Sequence, residues 1–199
     1  IEDEEKIIIF DDGLQDPNVN YDLKFVCFDS INFIGNGQLI PSGPLREKIN
    51  SLKKYDGVFL KGEKDISSDK LEFLKKINPN LEIFETFLDI KNLNKFNTND
   101  RYLIFSGIGN PQSFRNILIN YNFNIIDEII FPDHHKYSKN EIENIKFKAK
   151  KLNAKIITTE KDFVKITNFE TSNIDFIEVK LKIKNEKNLI NFINSKIHE

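Results

Sequence analysis

The fold class is decided by residues 102–111, YLIFSGIGNP. The apolar run from Tyr102 to Phe105 predicts a buried strand, and the turn from Gly107 to Pro111 predicts the entry into a helix that ends near Ile119. Along the rest of the chain, short apolar runs ending in Gly, Pro or Asp alternate in the same way with segments of helical period. This alternation is typical of α/β folds with a mainly parallel sheet.

The same two periodicities predict further elements on both sides of this stretch. We predict strands at Ile7 to Phe10, Leu23 to Phe28, Val58 to Leu60, Leu81 to Ile90, Ile125 to Phe131, Lys155 to Thr158 and Phe176 to Ile183. We predict helices from Pro44 to Leu52, from Ser68 to Ile77 and from Lys187 to Ile197. A further helix is predicted to begin with a capping box formed by Ser138 and Glu141 and to extend to Leu152. The Asn-rich stretch from Asn92 to Asn99 is the predicted junction between two domains.

Length, charge and cysteine content limit the classes of function. The 199 residues can bury one good core or two small ones. A formal net charge of -2 argues against nucleic acid as the main partner, because neutralising many phosphates requires a basic excess. The single cysteine, Cys27, lies in an apolar run, which predicts a buried thiol in a reducing compartment such as the cytosol. No apolar run is long enough to cross a bilayer, and the lack of any methionine predicts that the chain is a fragment.

Carboxylates and an arginine in the first half of the chain are candidates for a phosphate and metal site. Asp11 and Asp12 follow the first predicted strand, where carboxylates can hold Mg²⁺ against nucleotide phosphates. The alternative is that Asp12-Gly13 only makes a turn after that strand. Arg46 and Glu47 stand in the first turn of the predicted helix, where Arg suits phosphate and Glu suits a metal or hydroxyl. Glu47 is equally explained as a favourable charge at a helix N-terminus.

A second polar group follows strands in the second half. Asp133, His134 and His135 come directly after a strand and can supply a general base, an orienting dyad or a metal ligand. The alternative is a solvated polar loop. The polar turn from Thr158 to Asp162 contains Lys161, which can meet an anion or pair with a neighbouring carboxylate in solvent. We favour the solvated pair for this turn.

Five short motifs occur in an order that is more specific than any one of them. They are DDGLQ at Asp11 to Gln15, GNGQLIPSGPLRE at Gly35 to Glu47, SGIGNPQSF at Ser106 to Phe114, FPDHH at Phe131 to His135 and TTEKD at Thr158 to Asp162. In this order they resemble the successive signatures of the tetraacyldisaccharide 4'-kinases. The resemblance covers essentially the whole chain.

The resemblance implies a specific α/β architecture. Two three-layer α/β/α lobes with mainly parallel sheets would be joined by a β-stranded linker. Residues 1–80 would be the C-terminal part of a P-loop kinase-like lobe, which would therefore be incomplete. Residues 81–94 would form a linker strand, residues 95–175 the C-terminal α/β lobe, and residues 176–199 the return linker strand and a terminal helix.

The resemblance also implies a reaction and its partners. The γ-phosphoryl group of ATP would be transferred to the 4'-hydroxyl of a tetraacyldisaccharide 1-phosphate, a step of lipid A biosynthesis at the cytoplasmic face of the bacterial inner membrane. ATP, Mg²⁺ and this glycolipid are the expected cofactors and partners. Peripheral membrane contact would be made by a part N-terminal to this chain, and no contact with nucleic acid is expected.

Residue roles come from the same resemblance. The expected metal ligands are Asp11, Asp12 and Glu47, and the expected nucleotide-binding residues are Asp12, Gln15, Glu47 and Lys161. Arg46 would contact phosphate. His134, held by Asp133 or by a carboxylate from an N-terminal part, would orient or deprotonate the attacking hydroxyl.

Two departures from the family pattern and two alternatives stay open. The family's P-loop and an acidic motif that would partner the histidine are expected upstream of Asp11, and Asp16 stands where the family often has a histidine. We therefore expect the chain alone to be inactive. The triplet from Asp133 to His135 also resembles the Asp-His-His phosphoesterases, which bind two metal ions. A non-catalytic remnant is the third hypothesis.

Overall fold

The computed structural model describes residues 7–16, 18–62 and 66–197. The strands are β1 (Phe25–Asp29), β2 (Gly57–Gly62), β3 (Glu82–Ile90), β4 (Arg101–Ser106), β5 (Asn124–Ile130), β6 (Lys155–Thr159), β7 (Ile174–Ile177) and β8 (Val179–Ile183). The helices are α1 (Ser68–Ile77), α2 (Pro111–Asn120), α3 (Lys139–Leu152), α4 (Glu160–Ile166) and α5 (Glu186–Ile197). The chain folds as two compact units, one of residues 1–87 with 183–199 and one of residues 88–182.

The first sheet has the strand order β1-β2-β3-β8, in which β1, β2 and β3 are parallel neighbours. The strands β1, β2 and β3 up to Phe87 belong to the first unit, whereas β8 up to Lys182 belongs to the second. One face of the sheet packs its aliphatic side chains against α1, around a core of Leu52, Val58, Leu60, Leu74 and Leu81. The opposite face carries aromatic rings, and Phe192 of α5 packs on Phe25 and Phe84 at centroid distances of 6.1 and 5.7 Å. Because side chains alternate along a strand, both faces need cover, and α1 and α5 provide it.

The second unit is built on a fully parallel sheet with the strand order β5-β4-β6-β7. On one face Tyr102 and Ile104 of β4 pack with α2. On the other face Leu103 and Phe105 pack with α3 and α4. The predicted α/β class with two mainly parallel sheets is thereby confirmed. The carboxyl ends of β4, β5 and β6 lie at the same edge of this parallel sheet. The strand order reverses at β4, and α/β sheets commonly bind ligands at such a point.

The helix that begins after Ser138 has the predicted capping box. The Ser138 hydroxyl accepts a hydrogen bond from the Glu141 N–H at 3.3 Å, and the Glu141 carboxylate accepts one from the Ser138 N–H at 2.7 Å. These bonds satisfy two backbone donors that helix geometry leaves unpaired. Both bonds are local, which is why the sequence alone predicts this helix start.

Ser138→Ala should lower the free energy of unfolding by about 1 kcal/mol, because the cap is lost. Urea unfolding monitored by circular dichroism measures the effect. The matched control is Ser195→Ala, since the Ser195 hydroxyl is exposed and donates to the Phe192 carbonyl of its own helix. Equal losses for the two variants would contradict the capping role.

Two predicted elements in the first unit are wrong. Ile7 to Phe10 is irregular, and its four side chains are between 53% and 89% exposed, because no strand among the described residues pairs with it. The helix predicted from Pro44 is replaced by bends and a short 3-10 turn, Ile49–Lys54. The cause is tertiary: the Leu45 N–H donates to the Gln38 carbonyl at 3.1 Å, and the Leu45 carbonyl accepts from the Ile40 N–H at 2.9 Å. This pairing holds Leu45 extended.

Three further expectations need correction. Cys27 is exposed, because it lies on β1 at the edge of the described sheet. The single strand predicted from Phe176 to Ile183 is two strands, β7 in the second sheet and β8 in the first. The polar turn predicted from Thr158 to Asp162 is the end of β6 and the first turn of α4, with Asp162 buried.

Asn92 ties the two chain segments that run between the units. Its amide donates to the Phe176 carbonyl at 2.9 Å and accepts from the Glu178 N–H at 3.0 Å. The Lys91 N–H donates to the Glu178 carbonyl at 2.9 Å. Because these bonds engage the backbone at Phe176 and Glu178, they accompany the break between β7, which ends at Ile177, and β8, which begins at Val179.

Candidate active site

The Asp-Asp-Gly turn of the first unit lies against Arg46. Asp12 has left-handed backbone geometry, with φ of 56°, and precedes the 3-10 turn Gly13–Gln15. The Arg46 guanidinium forms a hydrogen-bonded ion pair with the Asp12 carboxylate, and it lies 3.4 Å from the Gln15 amide oxygen. Two of the predicted motifs, 34 positions apart, are thus brought together.

The charge state of this pair follows from its contact. The hydrogen bond from Arg46 holds the pKa of Asp12 below its ordinary value, and the same bond raises the pKa of Arg46. Both groups are therefore ionised at neutral pH. The side chain of Arg46 is 57% exposed and that of Asp12 is 64% exposed, so solvent screens the attraction and the pair contributes little to stability. An exposed arginine and carboxylate remain free to exchange partners with a phosphate or a metal.

Tyr21 packs against the Asp-Asp-Gly turn and holds it in place. Its hydroxyl donates to the Gly13 carbonyl at 2.7 Å, and its ring packs edge-on against Phe10 at 5.4 Å. A Cβ on Gly13 would lie 2.8 Å from the Tyr21 hydroxyl, so only glycine fits without displacement. The Asp11-Asp12 carboxylates therefore stand on a turn supported by Tyr21, and the described residues before it, Ile7 to Phe10, form no strand.

Glu47 is directed to a tyrosine. The Tyr55 hydroxyl donates to Glu47 Oε2 at 2.8 Å, and burial together with this carboxylate raises the pKa of Tyr55 to about 12. Among the described residues no group of three or more His, Cys, Asp or Glu side chains is close enough to hold a metal ion. The structure thus joins Asp12, Gln15 and Arg46, and it leaves Glu47 paired with Tyr55.

In the second unit Asp133 and His134 lie in the loop after β5. His134 has a left-handed backbone with φ of 58°, and its N–H donates to Asp133 Oδ1 at 2.9 Å. The imidazole Nε2 is 3.7 Å from Asp133 Oδ2, which is beyond a hydrogen bond. Lys161 Nζ, in the first turn of α4, lies 3.7 Å from Asp133 Oδ1. Three predicted site residues, Asp133, His134 and Lys161, therefore lie close together.

The two adjacent histidines have different environments. The His134 side chain is 77% exposed, whereas the His135 side chain is 22% exposed. His135 stacks on Phe131 at 4.7 Å, and its Nε2 is 3.1 Å from Glu141 Oε1. His134 is therefore available to a substrate, and His135 is occupied in packing.

Asp162 is a functional candidate that the sequence reading missed. The carboxylate is fully buried and accepts hydrogen bonds from the Gly107 N–H at 2.9 Å and from Lys165 Nζ at 2.7 Å. Burial raises the pKa of Asp162, but these bonds and one from the Thr159 hydroxyl outweigh it, so the pKa is lowered. The available signal was Thr159 three positions before Asp162, which indicates a helix cap.

Two hydroxyls of the second unit are buried, those of Ser106 and Tyr137. Within the described part of the chain, Ser106 Oγ and the Tyr137 hydroxyl form no hydrogen bond of ordinary geometry. Burial and the nearby Asp162 carboxylate raise the pKa of Tyr137, so the phenol stays protonated. Buried polar groups at the carboxyl end of β4 and β6 thus include Ser106 and Thr158 as well as Asp162, the third residue of α4.

Comparison with known proteins gives concordant results. The family described as tetraacyldisaccharide-1-P 4'-kinase matches residues 2–198. The tetraacyldisaccharide 4'-kinase of Pelagibacter ubique is 45% identical over 186 residues, covering 94% of this chain and 59% of that protein. The enzyme of the same name from Rickettsia canadensis is 40% identical over 195 residues, covering 96% of this chain and 56% of that protein. The chain thus spans somewhat more than half the length of these relatives.

A solved structure supports the fold. The crystal structure of the "apo" form of LpxK from Aquifex aeolicus in complex with ATP superposes with a TM-score of 0.59 at 22% identity. The match covers 93% of this chain and 56% of that one. Since the family match extends over nearly every residue, the chain belongs to the tetraacyldisaccharide-1-P 4'-kinase family.

Proposed function

We propose that the complete gene product transfers the γ-phosphoryl group of ATP to the 4'-hydroxyl of a tetraacyldisaccharide 1-phosphate. The observation that carries the proposal is the family match over residues 2–198, which includes all five motifs. ATP as the donor is supported by the related Aquifex aeolicus protein, whose crystal structure contains ATP. The phosphoesterase alternative is not favoured, because the relatives are kinases by name.

The first unit supplies groups suited to nucleotide charge. Phosphoryl transfer depends mainly on positioning and on neutralising charge around the transferred group. Arg46 would turn its guanidinium from Asp12 to a phosphate, since both partners are exposed. Gln15, within reach of the same guanidinium, would help to fix it.

Mg²⁺ fits the donors of this turn. Mg²⁺ takes oxygen ligands and is bound by one or two carboxylates together with substrate phosphates. Asp11 and Asp12 are exposed carboxylates on one packed turn, so they provide such a pair. Glu47 would join only after releasing the Tyr55 hydroxyl. When bound, the ion would neutralise charge on the phosphates, and Asp12 would exchange its Arg46 partner for it.

The second unit supplies the group that acts on the acceptor. His134 is exposed and neutral imidazole can accept a proton, so it would orient or deprotonate the 4'-hydroxyl. Asp133 lies beside it and would stabilise the imidazolium once the proton is transferred. Lys161, which now pairs with Asp133, would offer its ammonium to a phosphate oxygen.

Membrane contact is part of the proposal. The acceptor is a glycolipid, so the enzyme would meet it at the cytoplasmic face of the inner membrane. In the described ranges no helix is long and apolar enough to span a bilayer. As a separate part of the proposal, contact with the membrane is peripheral.

The test is ATP turnover that depends on the glycolipid. The complete gene product should form ADP from Mg·ATP when tetraacyldisaccharide 1-phosphate is present, and it should form little without it. The same preparation, given Mn²⁺ and a phosphodiester, should release no product. ATP turnover that ignores the glycolipid, or phosphodiester hydrolysis, would contradict the proposal.

A further inference from the structure

The buried Asp162 connects α4 to the loop that follows β4. Its carboxylate accepts the Gly107 N–H at 2.9 Å, and Lys165 Nζ donates both to Asp162 Oδ1 at 2.7 Å and to the Gly107 carbonyl at 3.2 Å. The N–H and the carbonyl of one glycine are thus both held by α4. The Thr159 hydroxyl adds a bond to Asp162 at 2.8 Å, which fixes the carboxylate from the strand side.

Gly107 in turn packs against the loop that carries His134. A Cβ on Gly107 would lie 3.2 Å from the Pro132 carbonyl oxygen, 3.2 Å from His135 Cβ and 2.9 Å from the Tyr137 hydroxyl. Pro132 and His135 flank Asp133 and His134 on both sides. Since the space around Gly107 is filled, its position determines where the flanks of the His134 loop can lie.

The His134 loop combines an uncommon backbone conformation with few contacts of its central residue. His134 adopts φ of 58°, a region that non-glycine residues rarely occupy without support from their surroundings. Its side chain is 77% exposed and contributes little burial. The loop is held at its C-terminal flank, where His135 stacks on Phe131 and its Nε2 is 3.1 Å from Glu141 Oε1, so the Gly107 contact bears on the side of Pro132 as well.

We propose that Asp162 is a positioning residue for His134, acting through Gly107: α4 clamps Gly107, and Gly107 seats the loop from Pro132 to His135. This inference rests on the proposed kinase function, since His134 is the group that would meet the acceptor hydroxyl. Asp162 itself contacts neither substrate. Its buried carboxylate therefore acts by fixing the position of His134.

The substitution that tests this mechanism is Gly107→Ala. The added methyl group would meet the Tyr137 hydroxyl and press on the His134 loop, so kcat should fall about 10- to 100-fold while the KM for ATP stays unchanged. Tyr137→Phe alone should have little effect. The double variant Gly107→Ala/Tyr137→Phe should keep most of the loss in kcat, because the contacts of the added methyl group with the Pro132 carbonyl and His135 Cβ remain. Full recovery of kcat in the double variant would place the effect at Tyr137 and would overturn the proposed route.

A second test uses Asp162→Asn in two backgrounds. In the otherwise unchanged protein it should lower kcat at least about 10-fold, whereas in a His134→Ala background it should cost no further factor, since residues that act as a unit are not additive. Glu170→Gln is the matched control, because Glu170 pairs with Lys146 at the surface of the same unit. Equal losses by Asp162→Asn in both backgrounds would overturn the inference.

An independent readout does not depend on activity. The chain has three histidines, so imidazole carbon-proton NMR spectra of histidine-labelled protein can be assigned by substitution. Gly107→Ala and Asp162→Asn should shift the His134 resonance, and Glu170→Gln should not. An unmoved His134 resonance would overturn the inference. A moved resonance in a protein that transfers no phosphoryl group would support the coupling and overturn the proposed function instead.

Discussion

Asp12→Asn in the complete gene product is expected to lower kcat by about 10²- to 10³-fold, the loss typical of removing one group that stabilises transition-state charge. Asp12 stands on the same turn as Asp11 and pairs with Arg46, so its carboxylate is presented to solvent beside the guanidinium that we propose for phosphate. The amide of Asn cannot replace the carboxylate as a strong Mg²⁺ ligand. Steady-state kinetics at saturating Mg²⁺ and ATP measures the effect.

The control for this prediction lies in the same loop. Asp16 is exposed, and its carboxylate accepts local hydrogen bonds from the Asn18 N–H at 2.9 Å and from the Asn18 side-chain amide at 3.0 Å. Asp16→Asn should therefore leave kcat within a few-fold of the parent. Both variants should unfold at the parent temperature, because exposed carboxylates contribute little to stability. Unchanged kcat for Asp12→Asn at saturating Mg²⁺ would remove Asp12 from the site.

His134→Ala is expected to lower kcat by about 10²-fold or more, as loss of a general base does. His135→Ala should leave kcat nearly unchanged and should instead lower the unfolding temperature, since His135 stacks on Phe131 and reaches Glu141. The two neighbouring substitutions thus separate catalysis from packing. Measuring kcat and thermal unfolding for both proteins makes the comparison.

Backbone strain at His134 requires a second variant. Alanine tolerates φ of 58° poorly, whereas asparagine occupies the left-handed region readily. His134→Asn should therefore keep the loop and still lose the imidazole, with kcat as low as in His134→Ala. Normal kcat in His134→Asn, or a larger loss of kcat in His135→Ala, would contradict the assignment.

The sequence predicted those parts of the fold that depend on local patterns. The continuous apolar run of β4, the capping box at Ser138 and the helix from Ser68 to Ile77 are each encoded by neighbouring residues. Ile7 to Phe10 has the same apolar pattern as a strand, but a strand also needs a partner, and a one-dimensional pattern does not supply one. The helix expected from Pro44 failed for a related reason, since a tertiary bridge to Leu39 holds Leu45 extended.

The candidate site could be predicted in its motifs but less well in its contacts. Strand-end loops directed attention to Asp133 and His134, because parallel strands end at one edge of a sheet, and the roles of these residues stay a prediction. The pairing of Arg46 with Asp12 could not be read from the sequence, since it joins positions 34 apart. The sequence predicts a solvated turn at Asp162, whereas the structure buries it, because the Gly107 N–H, which is remote in sequence, bonds to its carboxylate together with Lys165 Nζ.

The position of the transferred phosphate tests the central claim most directly. The complete gene product is incubated with Mg·ATP and tetraacyldisaccharide 1-phosphate, and the product is analysed by phosphorus NMR and mass spectrometry. We predict one added phosphate, on the 4'-oxygen, and no product from an acceptor whose 4'-hydroxyl is blocked. Phosphate on another oxygen, transfer to the blocked acceptor, or no transfer at all would contradict the assignment of this chain to a 4'-kinase reaction.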